Sequence, residues 1–158
     1  MPKVPECFSS VKWTIIWSLF ILFSDQLSKQ LAETYLIGGR SLEVLPFFDL
    51  VLVRNFGVSF GALNTVPPVI LTLLSAAVVI YLVIWARNNI SCRLPSGFVV
   101  SGAIGNILDR VFRGSVVDFL DFHVCGYHWP AFNIADSSIV IGAMLLFFVS
   151  HKNNLQLR

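Results

Sequence analysis

Charge is scarce in this chain. Only 13% of its 158 residues are Asp, Glu, Lys or Arg, against roughly a quarter in a soluble domain. With 56% hydrophobic residues and a mean hydropathy of +0.76, that deficit points to a polytopic membrane protein. There is no basic patch. The formal net charge is +2 and the Lys and Arg residues are scattered, so nucleic acid is not an expected partner. Cysteine is equally sparse: Cys7, Cys92 and Cys125 are odd in number and far apart, and imply no disulfide. No repeat, low-complexity tract or linker divides the chain, so a single domain over residues 1–158 is expected. No Ser/His/Asp order or glycine-rich phosphate loop stands in a strand–helix context. Ser59 and Ser101 lack an evident basic partner, which gives a serine mechanism little support.

What is present is long apolar runs. About 20 apolar residues are needed to cross the hydrocarbon core as a helix, and four stretches approach this: about 13–36, 66–86, 94–113 and 131–150. The second is uncharged throughout. The first is uncharged only to Ser24 and the third only to Leu108, so Asp25 with Lys29, and Asp109 with Arg110, must lie in or near the membrane. No small-residue cleavage site follows the first run, so it is expected to stay as an uncleaved anchor. Lys3, Lys12, Arg87, Arg93, Lys152 and Arg158 flank one side. Arg40, Arg54 and Arg113 lie on the other, among Glu43, Asp49 and Asp121. The positive-inside rule then places both termini and the Arg87–Arg93 loop in the cytoplasm. Residues 38–62 form the first outer segment. Its runs Ser41–Leu45 and Asp49–Val53, parted by Pro46, read as strands of a small sheet on the membrane. Phe47, Phe48, Phe56 and Phe60 are suited to seat it in the interface. The expected fold class is mainly α: four transmembrane helices with a small extracytoplasmic β-sheet.

Ionisable groups in lipid are costly and usually functional. Asp118, between Val117 and Phe119, and Asp136, in Phe132-Asn133-Ile134-Ala135-Asp136, both fall at the outer boundary. Two convergent carboxylates cannot both ionise. They share one proton and divide into an acid and a base, the working part of an aspartic protease. Asp136 has a second reading, because Asn133 resembles an N-cap that would put it in a first helical turn. Asp25 and Lys29, four apart on one helical face, are a structural brace or a proton relay. The small residues Ser101-Gly102-Ala103-Ile104-Gly105 favour close helix packing. Such packing brings Asn106, Asp109 and Arg110 near other helices; Asn106 and Arg110 share a face suited to binding a carbonyl or fixing a carboxylate. His123, Cys125 and His128 are spaced compactly enough for zinc, but three ligands in a loop read better as a solvated loop, and no metal is assigned.

Five blocks together resemble the bacterial lipoprotein signal peptidase (signal peptidase II) family. They are Asp25-Gln26-Leu27-Ser28-Lys29, Asn55-Phe56-Gly57 continuing to Phe60-Gly61, Gly105-Asn106-Ile107-Leu108-Asp109-Arg110, Val116-Val117-Asp118-Phe119 and Phe132-Asn133-Ile134-Ala135-Asp136. The resemblance implies that Asp118 and Asp136 are catalytic. It implies that Asp25, Lys29, Asn55, Gly57, Asn106, Asp109, Arg110 and Asn133 line or support the site. The implied substrate is a prolipoprotein whose cysteine already carries diacylglyceryl, cut just before that cysteine. The enzyme would sit in the bacterial inner membrane with its site at the outer leaflet. Membrane lipids would be its other partners; it would act as a monomer and need no cofactor. Ser101 and Val58-Ser59 depart from the family's usual small residues. A proton-coupled transporter using Asp25, Asp109, Asp118 and Asp136 as a relay is the alternative, and a non-catalytic scaffold is a third reading. The gathering of acids towards one face disfavours transport.

Overall fold

The computed structural model describes residues 10–57 and 67–155. Phe60, Gly61, Val58, Ser59 and Cys7, and the expected start of the second span at residue 66, lie outside the described residues. The chain runs α1 (Val11–Tyr35), β1 (Leu42–Leu45), β2 (Phe48–Asn55), α2 (Pro68–Asn88), a 3-10 turn (Ile90–Cys92), α3 (Arg93–Arg113), β3 (Val116–Val124), β4 (Tyr127–His128) and α4 (Ile134–Leu155). It is mainly helical, with one small antiparallel sheet in the order β1-β2-β3-β4. All the strands lie at one end of the bundle. The short α2–α3 connection and the start of α1 lie at the other.

α3 is the centre, because α1, α2 and α4 all pack on it. Its small residues set the distances. A Cβ on Gly102 would collide with the carbonyl oxygen of Ala135 and come within 2.9 Å of Ile139, and one on Gly105 would sit 2.6 Å from Asp25 Oδ2. Ser138 on α4 donates to the Phe98 carbonyl of α3 at 2.7 Å. α3 ends at Gly114, whose φ of 77° is the left-handed conformation that stops a helix without a Cβ penalty. The chain therefore turns directly into β3.

The helices are apolar on the outside. α2 and α4 are long and apolar enough to cross a membrane, and only 11% and 17% of their apolar windows are buried within the protein. Leu73, Leu74, Ile80 and Tyr81 on α2 are exposed, as are Phe147 and Phe148 on α4. Such continuous apolar surface suits lipid and not water. α1 reverses the usual pattern. Asp25 and Lys29 lie on its buried stripe with Ile21 and Ala32, while Phe20, Phe23, Leu27 and Leu31 face outward.

The sheet takes in more of the chain than its sequence suggested. The last helix begins at Ile134, later than 131, because the Phe132 backbone joins the sheet. Its oxygen accepts from Phe119 N and Leu120 N, and its nitrogen donates to Leu120 O. Residues 116–128 supply two of the four strands. Phe119 then packs with Ala32 and Leu36, seating the sheet on the end of α1.

We expect Gly102→Ala to destabilise the protein by about 1–3 kcal/mol through overpacking, despite the better helix propensity of alanine. Thermal unfolding in detergent reads this; an unchanged melting temperature contradicts the packing described.

Candidate active site

Asp118 stands on β3 and Asp136 in the first turn of α4. A register shift between Leu50 and Val53 adds one residue to β2, so Leu50 opposes Leu120 but Val53 opposes Asp118. Bulges of this kind re-aim side chains beside functional sites. Asn55 opposes Val116 and so reaches Asp118 diagonally on the same face.

Three asparagines deliver their amide nitrogens to the two carboxylates. Asn55 Nδ2 donates to Asp118 Oδ2 at 2.9 Å, Asn133 Nδ2 to Asp118 Oδ1 at 2.7 Å, and Asn106 Nδ2 to Asp136 Oδ1 at 2.8 Å. The orientation of each amide is forced. Its oxygen accepts from a group that can only donate: Gly57 N–H for Asn55 (3.0 Å), Asp136 N–H for Asn133 (2.8 Å) and the Lys29 ammonium for Asn106 (3.0 Å). Asn133 also donates to Asn106 Oδ1 at 3.3 Å. A continuous path therefore runs from Asp118 through Asn133 and Asn106 to Asp136. Asn133 is the N-cap of the helix that carries Asp136, as its sequence suggested, and it also hydrogen-bonds the other carboxylate. Asn106 gives one Nδ2–H to the Asp136 carboxylate and accepts two donors at its oxygen.

Behind the amides lies a buried ion network. Lys29, fully buried, is 2.9 Å from Asp25 Oδ2 and 2.8 Å from Asp109 Oδ2. Asp25 Oδ1 accepts Ala135 N at 2.9 Å, and Asp109 Oδ2 accepts Val117 N at 3.1 Å. Each carboxylate thus anchors the backbone one residue before Asp136 or Asp118. Arg113 pairs with Asp109 and Glu33, and Glu33 pairs with Arg54 of β2. Gln26 bridges Asp25, Asp109 and Arg113. Three cations meet three anions, so the cluster is neutral as a whole. Asp25, Lys29 and Asp109 form one ion-paired group.

Gln26, Glu33, Arg54 and Arg113 were not singled out as site residues from sequence. Glu33 did carry a signal, because Asp25, Lys29 and Glu33 recur every four residues along one side of α1. Arg110 Nη2 is 3.4 Å from the Gly57 carbonyl, and its buried Nε makes no hydrogen bond among the described residues. Arg110 lies within electrostatic reach of Asp136, Asp109 and Asp118. His123 and His128 pair elsewhere. Their rings stack 4.9 Å apart, His128 Nδ1 is 2.8 Å from Asp121 and His123 Nε2 is 3.5 Å from Asp49, while Cys125 is exposed in the hairpin turn. Among the described residues no three His, Cys, Asp or Glu side chains are arranged to hold a metal ion.

Burial pushes the Asp118 carboxyl up to about 6, and the charge of Asp136 adds to the shift. The Asn55 and Asn133 hydrogen bonds and the charge of Lys29 pull the other way without cancelling it. A carboxyl so placed can hold or release a proton near neutral pH.

The fold is that of a bacterial membrane enzyme. One solved structure of such an enzyme superimposes with a TM-score of 0.84 at 32% identity, covering 94% of this chain and 93% of the other. A second gives 0.78 at 32% identity, covering 88% and 92%. The family is narrower: Signal peptidase (SPase) II matches residues 17–152, and the chain belongs to the signal peptidase II family of proteases. The lipoprotein signal peptidase of Francisella tularensis subsp. mediasiatica (strain FSC147) is 40% identical over 143 residues, 85% of this chain and 89% of the relative. That of Shewanella amazonensis (strain ATCC BAA-1098 / SB2B) is 40% identical over 152 residues, 91% and 89%.

Removing Lys29 leaves Asp25 buried without a cation and Asp109 with Arg113 alone. Lys29→Met is expected to cost about 3–5 kcal/mol of stability. A variant that melts with the native protein in detergent would refute the bracing role.

Proposed function

We propose that Asp118 and Asp136 are the catalytic pair of an aspartic endopeptidase that removes the signal peptide from diacylglyceryl-modified prolipoproteins, cutting before the lipidated cysteine. The observation carrying this reading is the shared amide path, which ties two acidic side chains from separate elements to one Asn133–Asn106 bridge. Family membership supports the reaction and the substrate class. The raised Asp118 carboxyl supports a pair that keeps one proton.

In the proposed reaction the ionised carboxyl takes a proton from a water held between the two groups. The water oxygen attacks the scissile carbonyl carbon, and the protonated partner donates to the carbonyl oxygen. When the tetrahedral intermediate collapses, the carbonyl re-forms, the C–N bond breaks and a proton passes to the leaving amine. The proton belongs to the pair, which titrates as a unit. Asn55, Asn106 and Asn133 hold the carboxyls. Asp25, Lys29 and Asp109 hold the backbone beneath them. Arg110 and Gly57, joined at the site's edge, are assigned to substrate contact.

The whole chain acts as one domain and one monomer, with α1 to α4 all spanning the inner membrane, both termini in the cytoplasm and the sheet at the outer leaflet. The outward apolar side chains of α1, α2 and α4, and the central position of α3 among those three, support four spans. Acyl chains of the substrate would stay in lipid while the peptide bond meets the carboxyls at the interface. The transporter alternative has no observation in its favour. Its four proposed relay acids form one hydrogen-bonded cluster at a single end of the bundle instead of a path through it.

Asp118→Asn or Asp136→Asn should lower cleavage of a synthetic lipidated prolipopeptide by at least about 10²–10⁴-fold while the purified protein stays folded. Near-native turnover in either folded variant would remove the assignment. The pH profile offers an independent check. The single-proton form is lost as pH rises through the Asp118 value, so kcat/KM should fall on its alkaline limb near pH 6. Asn55→Ala removes a hydrogen bond to the ionised carboxylate and should move that limb to higher pH. A flat profile, or a limb moving down in the variant, contradicts the proposal.

A further inference from the structure

The end of the bundle away from the two carboxylates has a groove that the proposed chemistry does not use. α1 and α2 each pack on α3 but not on one another. The gap between them is a cavity of about 340 Å³, with Ile15, Leu82, Val83 and Val100 among its apolar walls. That lies within the range of ~300–1,000 Å³ typical of ligand pockets.

Two features distinguish it from an ordinary seam between helices in lipid. Cations stand at its mouth: Arg87, exposed in the last turn of α2, and Arg93, the first residue of α3. The Arg93 guanidinium lies over the end of α2, with Nε 3.4 Å from the Ala86 carbonyl and Nη2 3.3 Å from that of Arg87, which holds its charge at the rim. No Asp or Glu is among the described lining residues. Deeper in is Ser96, a lining residue only 2% exposed, whose buried hydroxyl makes no hydrogen bond among the described residues. A buried donor without a partner is costly and calls for a ligand.

We propose that this groove binds one anionic phospholipid. Its phosphate lies against Arg87 and Arg93. A glycerol ester carbonyl accepts the Ser96 hydroxyl, and one acyl chain lies along the apolar walls. The spacing fits this order of groups, since Ser96 is three residues along α3 from Arg93, a rise of about 4.5 Å between the charged rim and the hydroxyl. In the orientation proposed above this end faces the cytoplasmic leaflet, where anionic lipids are held by basic pockets between helices. The inference rests on that orientation and not on the peptidase chemistry.

The test is native mass spectrometry of the full chain released from nanodiscs of equal phosphatidylglycerol and phosphatidylethanolamine. The expected result is one retained phosphatidylglycerol, in preference to phosphatidylethanolamine. Arg87→Gln should lower that preference about fivefold, the effect of one surface cation, and Val83→Trp, which fills the groove, should abolish retention. Cleavage activity should persist in both variants. Equal retention of the two lipids overturns the proposal. So does a preference unchanged by both variants, or a dimer in place of the lipid adduct. Lipid retention is read without substrate, so loss of the peptidase reading would leave this result standing.

Discussion

A fully buried ammonium governs this protein. Lys29 has three protons to place and no water to receive them, and three oxygens from Asp25, Asp109 and Asn106 surround it. Each contact transmits a constraint. Through Asp25 it fixes the backbone at Ala135, through Asp109 the backbone at Val117, and through Asn106 the direction of an amide aimed at Asp136. A buried charge is strongly unfavourable unless paired and hydrogen-bonded, so the four elements that supply those oxygens and backbone groups (α1, α3, β3 and α4) cannot drift independently. The balance of signs extends outward to Arg113, Glu33 and Arg54, which ties β2 into the same unit.

A layer of neutral amides separates the two carboxyls of the proposed pair from the nearby cations. No Lys or Arg hydrogen-bonds either one among the described residues. The direct donors are neutral amides, and Lys29 stands one layer back. A guanidinium or ammonium in direct contact would hold a carboxyl well below its ordinary value. Amides give direction with a weaker pull, so burial prevails at Asp118 and its carboxyl stays near 6. The same side chains that position the proposed pair thus leave the Asp118 carboxyl raised.

Much of this was legible in the sequence. An uncharged run followed by Asp25 and Lys29 required charges inside the first helix, and they do lie on its buried stripe. Asn133 announced the start of α4 by its capping chemistry. The small residues from Ser101 to Gly105 foretold a tightly packed α3. The strand carrying Asp118 was not legible. Val116–Val124 alternates weakly and is completed only by pairing with β2, a non-local partner. Nor did Arg54 and Arg113 show their role, because a surface arginine and one that closes a charge network look alike until Glu33 is brought between them. The late start of α4 has a similar cause: Phe132 belongs to the helical run by composition but gives its backbone to β3.

The central claim is that the two acidic side chains share one proton at a pH where isolated aspartates would both be ionised. Infrared titration of the carboxylic acid C=O stretch in the purified protein tests this directly, with the Asp118→Asn form as reference. The account predicts a protonated carboxyl band at pH 5 that fades as pH rises past about 6 and is absent or displaced in the reference. A native protein with no such band between pH 4.5 and 7, both carboxyls ionised throughout, would contradict it.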